Sequence, residues 1–485
     1  MTTPTRLTAS SPAWPPGPDP RWGGLPWMAE SSRDFIACMQ RMHREFGDIA
    51  HVQVLNEHIF TVFSPELIRE VVVDNAAHLV RQERSIEVVS EFQGRHSVMV
   101  SEAETWQRQH RILRAGFSPK RVAGYARLMV DAARKGLDVI AGEKGQTEGK
   151  VVNVSQLMNE LTSDVILRTL FSQPSGPERD EVIRAVQALD EIAMREVYWP
   201  MTLPDWLPLP GKARKRWGLK VLNGLISARI AQRHADLKAG HAPDGDLLAM
   251  MLAARDEENT AARGTQPGLS AAEIHDQCKV MFLAGHETSA VAMTWWAWLM
   301  ATHPDAAQRA WQEVDQVIGQ RDPTPEDAAR LPWLTATLKE AMRLYPPAPS
   351  LLARRTTADI RVGQWTIPKG GIVMLVHWAA HHDARWFKDP EAFLPDRFMP
   401  EAPAIPRGAW MPFGAGPRVC MGQHFAMLEM TLITAMLLQR HELQREPSEP
   451  APQAEMQFTL RPRQPLRLRF TPREPSQPSA ARPMP

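Results

Sequence analysis

The stretch PFGAGPRVCMGQHFAMLEM, residues 412–430, sets a lone cysteine, Cys420, between a Gly- and Pro-rich turn and a long apolar helical pattern. The chain has only three cysteines, and the other two, Cys38 and Cys278, lie far away in sequence, so disulfide pairing is a poor explanation. A buried structural cysteine is the plainer alternative. The local pattern argues otherwise. A turn exposes the sulfur, a helix opening near Gly422 points unpaired N–H groups and a positive dipole end toward it, and Arg418 adds a cation. Those features favour a thiolate, the form that ligates a metal or attacks an electrophile.

Two further groups carry chemistry. In LAGHETSAVAM, Glu287 and Thr288 are polar residues inside an apolar helical run, where each is costly unless satisfied. Gly285 beside them weakens the helix by up to about 1 kcal/mol relative to alanine. A threonine bonding back to its own helix with a salt-bridged glutamate is one reading. The other is a groove in which an alcohol and an acid hand protons to a bound ligand. In LKEAMRLYPPAP, Glu340 and Arg343 share a helix face at i,i+3 and can pair, and Arg397 in PDRF could join them. In SEAETWQRQHRILRAGFS, Ser101 and Glu104 read as a capping box, and Trp106 and His110 fall at i,i+4 on one face.

The elements that must position these residues are mostly helical. Short strand signals (IAHVQVL, HIFTVF) alternate with amphipathic helices near the N-terminus. Helical periodicity dominates from Ser101 to about Ser270, broken by YWPMTLPDWLPLPG. Ser270 and Glu273 form a second capping-box pattern, opening a helix that should run to the His303–Pro304 stop. That is about thirty residues, or ~50 Å at 1.5 Å per residue. Short strands (IRVGQWTIP, GIVMLVHWAA) return after PPAP. The apolar run from Val280 to Ala301 is long enough to cross a bilayer, but His286 and Glu287 interrupt it, and it reads as a buried central helix. The chain of 485 residues carries a formal net charge of +1, which suggests neither nucleic acid nor an anionic membrane as partner. Three cysteines indicate a reducing compartment. There is no internal repeat, P-loop or dinucleotide-binding GxGxxG. Residues 1–24 read as a flexible Pro-rich leader and 471–485 as a disordered tail.

Together these motifs resemble the cytochrome P-450 superfamily. Phe413, Gly416, Arg418, Cys420 and Gly422 match its haem-binding loop, and Glu340-x-x-Arg343 with Arg397 its buried triad. Ala284-Gly285-x-Glu287-Thr288 matches its oxygen-activation motif. The resemblance covers residues 25–470, one haem domain without room for a fused reductase. It implies a mainly α fold with small β-sheets, a triangular helical prism with haem b between the central helix and the cysteine-loop helix. Cys420 would be the axial ligand of the haem iron, with Phe413 packed beside the ring. Gly416 and Gly422 would allow close backbone approach. Arg418, Trp106, His110 and Arg354 would bind the propionates, although many members carry arginine where this chain has His110. Thr288 and Glu287 would deliver protons during oxygen activation. Val88, Val89, Phe92, Val98, Met99, Ala284, Leu351 and Leu352 would line an apolar substrate pocket.

The activity implied is insertion of one atom of O2 into a C–H bond of a lipophilic molecule. NAD(P)H-derived electrons would come through ferredoxin and its reductase, or flavodoxin, docking on Arg108, Arg111 and Arg114. The resemblance further implies a soluble, bacterial-type cytoplasmic monomer without membrane anchor or nucleic acid. A hydrogen-peroxide-driven peroxygenase is a rival, opposed by the Glu287–Thr288 pair. A thiolate-haem isomerase or dehydratase, needing no electrons, is another. A haem-based sensor or carrier is a third, opposed by the lack of a signalling domain.

Overall fold

The computed structural model describes residues 14–473 except 20, 141–148, 199–203, 205, 208, 210, 242–244 and 255–267. The stretch YWPMTLPDWLPLPG lies largely outside the described residues, as do most of the expected leader and tail. The chain divides into two compact units. One comprises the chain up to Glu83 with Ser350–Lys388 and Pro406–Val419; the other comprises Arg84–Pro349, Asp389–Ile405 and the chain from Cys420 onward.

The first unit is built on a five-stranded sheet. Strands Ile49–Val54 and Glu57–Val62 pair as a hairpin, with Ile49 opposite Val62 and Val54 opposite Glu57. Only Leu55 and Asn56 connect them, and Leu55 takes the left-handed φ of 53° that so tight a return demands. Glu57–Val62 then runs parallel to Ile372–Leu375, which pairs antiparallel with Leu351–Thr356, and that strand with Leu79–Arg81. Phe60, Val62, Val373 and Leu375 supply the buried face, joined by Ile68 and Met411. The segment expected as a single strand, GIVMLVHWAA, divides: the strand stops at Leu375, and His377–His381 is a helical turn. The expected leader also shortens. The Trp14 ring stacks on His51 at 4.8 Å, and the His51 N–H donates to the Pro16 carbonyl at 2.9 Å, so part of it belongs to the folded unit. At the other end the last strand, Arg467–Pro472, pairs with Lys150–Asn153 and His441–Arg445, so residues 471–473 are structured as well.

The second unit is helical, organised around Ala271–Thr302. This central helix opens with the expected capping box: the Glu273 N–H donates to Ser270 Oγ at 3.2 Å, and the Ser270 N–H donates to Glu273 Oε2 at 2.9 Å. It stops at His303, before Pro304. Two tryptophans anchor it. The Trp295 indole donates to the Leu460 carbonyl at 2.8 Å and stacks on Tyr345 at 4.0 Å, and the Trp296 indole donates to Thr337 Oγ1 at 2.9 Å. Each fully buried indole thus gains a partner for its single polar atom. No helix among the described residues is long and apolar enough to cross a membrane.

Candidate active site around Cys420 and the central helix

Gly416–Arg418 forms one turn of 3-10 helix, and the cysteine helix, Gln423–Arg440, begins three residues after Cys420. Gly416 has a φ of 74°, and a Cβ there would fall 2.2 Å from the Val72 carbonyl oxygen, so only glycine fits. Gly422 differs. A Cβ there would stand 3.8 Å from Cys420 Sγ, an ordinary contact. What Gly422 supplies is its backbone N–H, which bonds the cysteine.

Cys420 is exposed, whereas Cys38 and Cys278 are buried. Surrounding protein raises the Cys420 thiol above its ordinary value, and the Gly422 amide only partly opposes this. A bound metal cation would invert that preference by replacing the proton. The other cation and donors expected near a haem sit as follows. Arg418 is half-buried in its turn, and Arg354 is nearly buried on the strand Leu351–Thr356. Phe413 meets Trp410 edge-on, with ring centroids 6.4 Å apart.

Trp106 and His110 share a face of the helix Ala103–Arg114, their rings stacked at 4.9 Å. That helix does not begin with the expected capping box. Its N-cap is Glu102, without a side-chain cap, and the Ser101 hydroxyl donates instead to Gln109 Oε1 at 2.7 Å. Gln109, which the sequence reading passed over, donates in turn to Glu273 Oε1 at 2.8 Å and to the His96 carbonyl at 2.8 Å, fastening this helix to the central one. Arg108 pairs with the same Glu273 and donates to the Gly268 carbonyl at 3.2 Å. Arg108 is therefore committed inside the fold and does not belong to a docking face; Arg111 and Arg114 are exposed.

The central helix is buried along most of its length, with a gap in its middle. Ala284 is exposed, and Gly285 and Thr288 are half-buried, one helical turn sharing an open patch. A Cβ at Gly285 would approach Ile166 Cδ1 to 2.9 Å, so glycine also serves the packing behind the patch. The Thr288 hydroxyl donates to the Ala284 carbonyl at 2.7 Å. Glu287 is buried, accepting from the Thr459 hydroxyl at 2.6 Å, and it lies against the Asp190 carboxyl. Neither Asp190 nor Thr459 was singled out from the sequence.

Glu340 and Arg343 are both fully buried and paired through two bonds, Nε to Oε2 at 2.8 Å and Nη2 to Oε1 at 2.9 Å. Arg343 also donates to the carbonyls of Pro390 and Ala392 at 2.7 and 3.1 Å. Arg397 reaches Glu340 Oε1 at 3.2 Å and the Asp389 carbonyl at 2.8 Å, and the Leu394 N–H donates to the same carboxylate at 2.9 Å. The three charges form one satisfied network.

Val88, Val89, Phe92 and Val98 are buried and Met99 half-buried, with Phe92 edge-on to Phe458 at 5.5 Å. Leu351 and Leu352 are half-buried in the first unit, where Leu351 also packs on the core. A separate open groove lined by His96, Asp276 and Lys279 shares no residue with these groups. On the cysteine helix, Glu429 is fully buried beside Ser289, and burial pushes its carboxyl up to about 8. A glutamate inside the apolar run HFAMLEM was the available signal for it.

An exposed cysteine with an amide N–H on its sulfur and an apolar opening at Ala284 and Gly285 fit a haem. The comparisons agree. The family model for Cytochrome P450 matches residues 12–470. Cyclooctatin synthase of Streptomyces melanosporofaciens is 31% identical over 91% of this chain and 93% of its own length. Cyclooctat-9-en-7-ol 5-monooxygenase of the same organism is 29% identical over 83% of each chain. Cytokinin hydroxylase of Arabidopsis thaliana is 31% identical over 77% of this chain and 72% of its own. With a family match spanning nearly the whole sequence, and relatives aligned along most of their length, the chain belongs to the cytochrome P450 family.

Proposed function

We propose that this cytochrome P450 monooxygenase hydroxylates a lipophilic small molecule, drawing NAD(P)H-derived electrons from a separate ferredoxin or flavodoxin. The observation that carries the reading is the open patch at Ala284, Gly285 and Thr288 in the largely buried middle of the central helix. When bound, haem b supplies the chemistry that activates O2. Cys420 would hold its iron, with the Gly422 N–H tempering the sulfur, and Arg418, Arg354, Trp106 and His110 would hold its propionates. Val88, Val89, Phe92, Val98 and Met99 would form apolar walls that select a lipophilic ligand and exclude water. Thr288 and Glu287 would bring protons to the patch.

Arg111 and Arg114 support docking of an acidic electron carrier. A reducing, cytoplasmic setting suits three unpaired cysteines. The buried acid beside the alcohol favours the monooxygenase over a peroxide-driven enzyme. The name of the relative cyclooctat-9-en-7-ol 5-monooxygenase makes that alcohol a first ligand to try.

The test is spectroscopic. The reduced protein under CO should show the red-shifted Soret band of a thiolate ligand, and Cys420→Ser should lose it. Retention of that band in the variant would mean another residue ligates iron. Titration with cyclooctat-9-en-7-ol, fatty acids, steroids and alkyl-aromatics should move the Soret band for a lipophilic class; a response only to polar ligands would overturn the substrate assignment.

A further inference from the structure

Asp190 lies in the middle of the helix Arg179–Tyr198 and is 3% exposed, yet no arginine or lysine forms a salt bridge with it among the described residues. Its Oδ2 is buried without a hydrogen-bond partner among the described residues, and its carboxyl lies within hydrogen-bonding reach of Glu287. The Thr459 hydroxyl donates to Glu287 from the opposite chain segment. Thr459 is itself pinned, because its neighbour Leu460 accepts from Trp295 at 2.8 Å and donates to the Pro347 carbonyl at 2.9 Å.

Two carboxyls in contact in a dry site cannot both ionise; one proton must sit between them. The remaining charged groups facing the pair are Arg461 and Glu191, with His286 beside Glu287 on its helix. Arg461, engaged with Gln457 and 3.8 Å from Glu191, forms no salt bridge with Asp190 among the described residues, and its charge opposes the rise only in part. Burial first, and then the Glu287 charge, holds the Asp190 carboxyl protonated well above the ordinary carboxylate range. A leucine would fill this place at less cost than an unpaired acid.

We propose that Asp190 is the stored proton donor behind Glu287, and that the proton path to the patch at Ala284 and Thr288 starts from this carboxyl pair. The inference rests on the reading of Glu287 as the acid of the site. The step balances: the Asp190 O–H proton passes to the Glu287 carboxylate, leaving Asp190 ionised. Asp190 then recovers a proton from bulk water along the half-exposed Glu191 and Arg461 edge before Glu287, the residue preceding Thr288, releases its own toward the patch, so the two carboxyls are never ionised together. Asp190 acts only through Glu287.

The test uses haem-loaded protein, infrared spectroscopy and NADH-driven oxygen consumption with a ferredoxin and its reductase. Asp190→Asn keeps the shape and an N–H for Glu287 but has no transferable proton. Wild-type protein should show a protonated carboxylic C=O band that shifts in D2O and vanishes in Asp190→Asn; Glu429 contributes its own band, identified by its loss in Glu429→Gln. Oxygen consumption should fall several-fold in Asp190→Asn, with a larger D2O effect and an unchanged CO spectrum. If Asp190→Asn fails to load haem, Glu287→Gln remains informative, since removing the neighbouring charge should shift the Asp190 band. Absence of any Asp190-dependent band overturns the proposal. So does a normal rate in Asp190→Asn while Glu287→Gln is slow, and that result leaves the site reading intact. A normal rate in Glu287→Gln overturns both.

Discussion

The Thr288 hydroxyl donates to the Ala284 carbonyl at 2.7 Å, where the middle of the central helix opens. Its single proton is committed to the helix, and what it presents to the patch is its oxygen lone pairs. A side-chain rotation would redirect the proton at the cost of a bond worth about 1 kcal/mol. Thr288→Ala should therefore keep ligand binding and NADH consumption but lower product formed per NADH and raise hydrogen peroxide. The expected change in coupling is a factor of a few up to ~10, below the 10²–10⁴ of a full general-acid loss, because water can replace one hydroxyl. Unchanged coupling would leave Thr288 as a helix-bonding residue only.

The Glu340–Arg343–Arg397 network predicts a folding defect rather than a kinetic one. Removing one partner strands charges that are fully or largely buried, at a cost of roughly 3–5 kcal/mol. Typical total stability is only about 5–15 kcal/mol. Glu340→Ala and Arg343→Ala should yield little haem-loaded protein by absorbance ratio, while Arg397→Ala, which removes the member nearest the surface, should lose less. Full haem loading in Arg343→Ala would contradict the assignment.

Cys38 and Cys278 are buried, and burial raises both thiols, Cys38 to about 12. Thiols held protonated neither ligate nor react readily. Cys38→Ser and Cys278→Ser should leave the CO spectrum unchanged, and at pH 7 a thiol reagent should leave both native side chains unmodified.

Glu429 predicts a pH signature of stability. Its folded value near 8 lies above that of an unfolded glutamate, so the folded state holds the extra proton. The associated stability is fully present below pH ~4.5 and is lost as pH rises toward 8, by on the order of a few kcal/mol. Glu429→Gln has no proton to lose. In urea melts it should gain on the wild type steadily from pH 5 to pH 8, and parallel curves would show that Glu429 is ionised in the folded protein.

The legible part of this protein was local. The capping box at Ser270 and Glu273, the stop at Pro304 and the i,i+3 pair Glu340–Arg343 all depend on residues within a turn or two of each other. Helical spacing or φ sterics dictates their geometry before any tertiary contact forms. The strand signals IAHVQVL and HIFTVF and the buried central helix were readable for the same reason.

What the fold alone decided are pairings between distant segments and the protonation states that follow from burial. Asp190 and Thr459 meet Glu287 from elements far away in the chain. Arg108 looked like one of three basic residues on a surface face, but Glu273 claims it. Cys420 stood in a turn whose dipole and cation favour a thiolate, yet the surrounding protein raises its thiol. The cost of desolvating a charge depends on every atom packed around it, and no motif contains that sum. Sequence therefore determined which chemistry this chain carries and on which residues. Tertiary structure decided which of those residues touch, and which of them hold a proton.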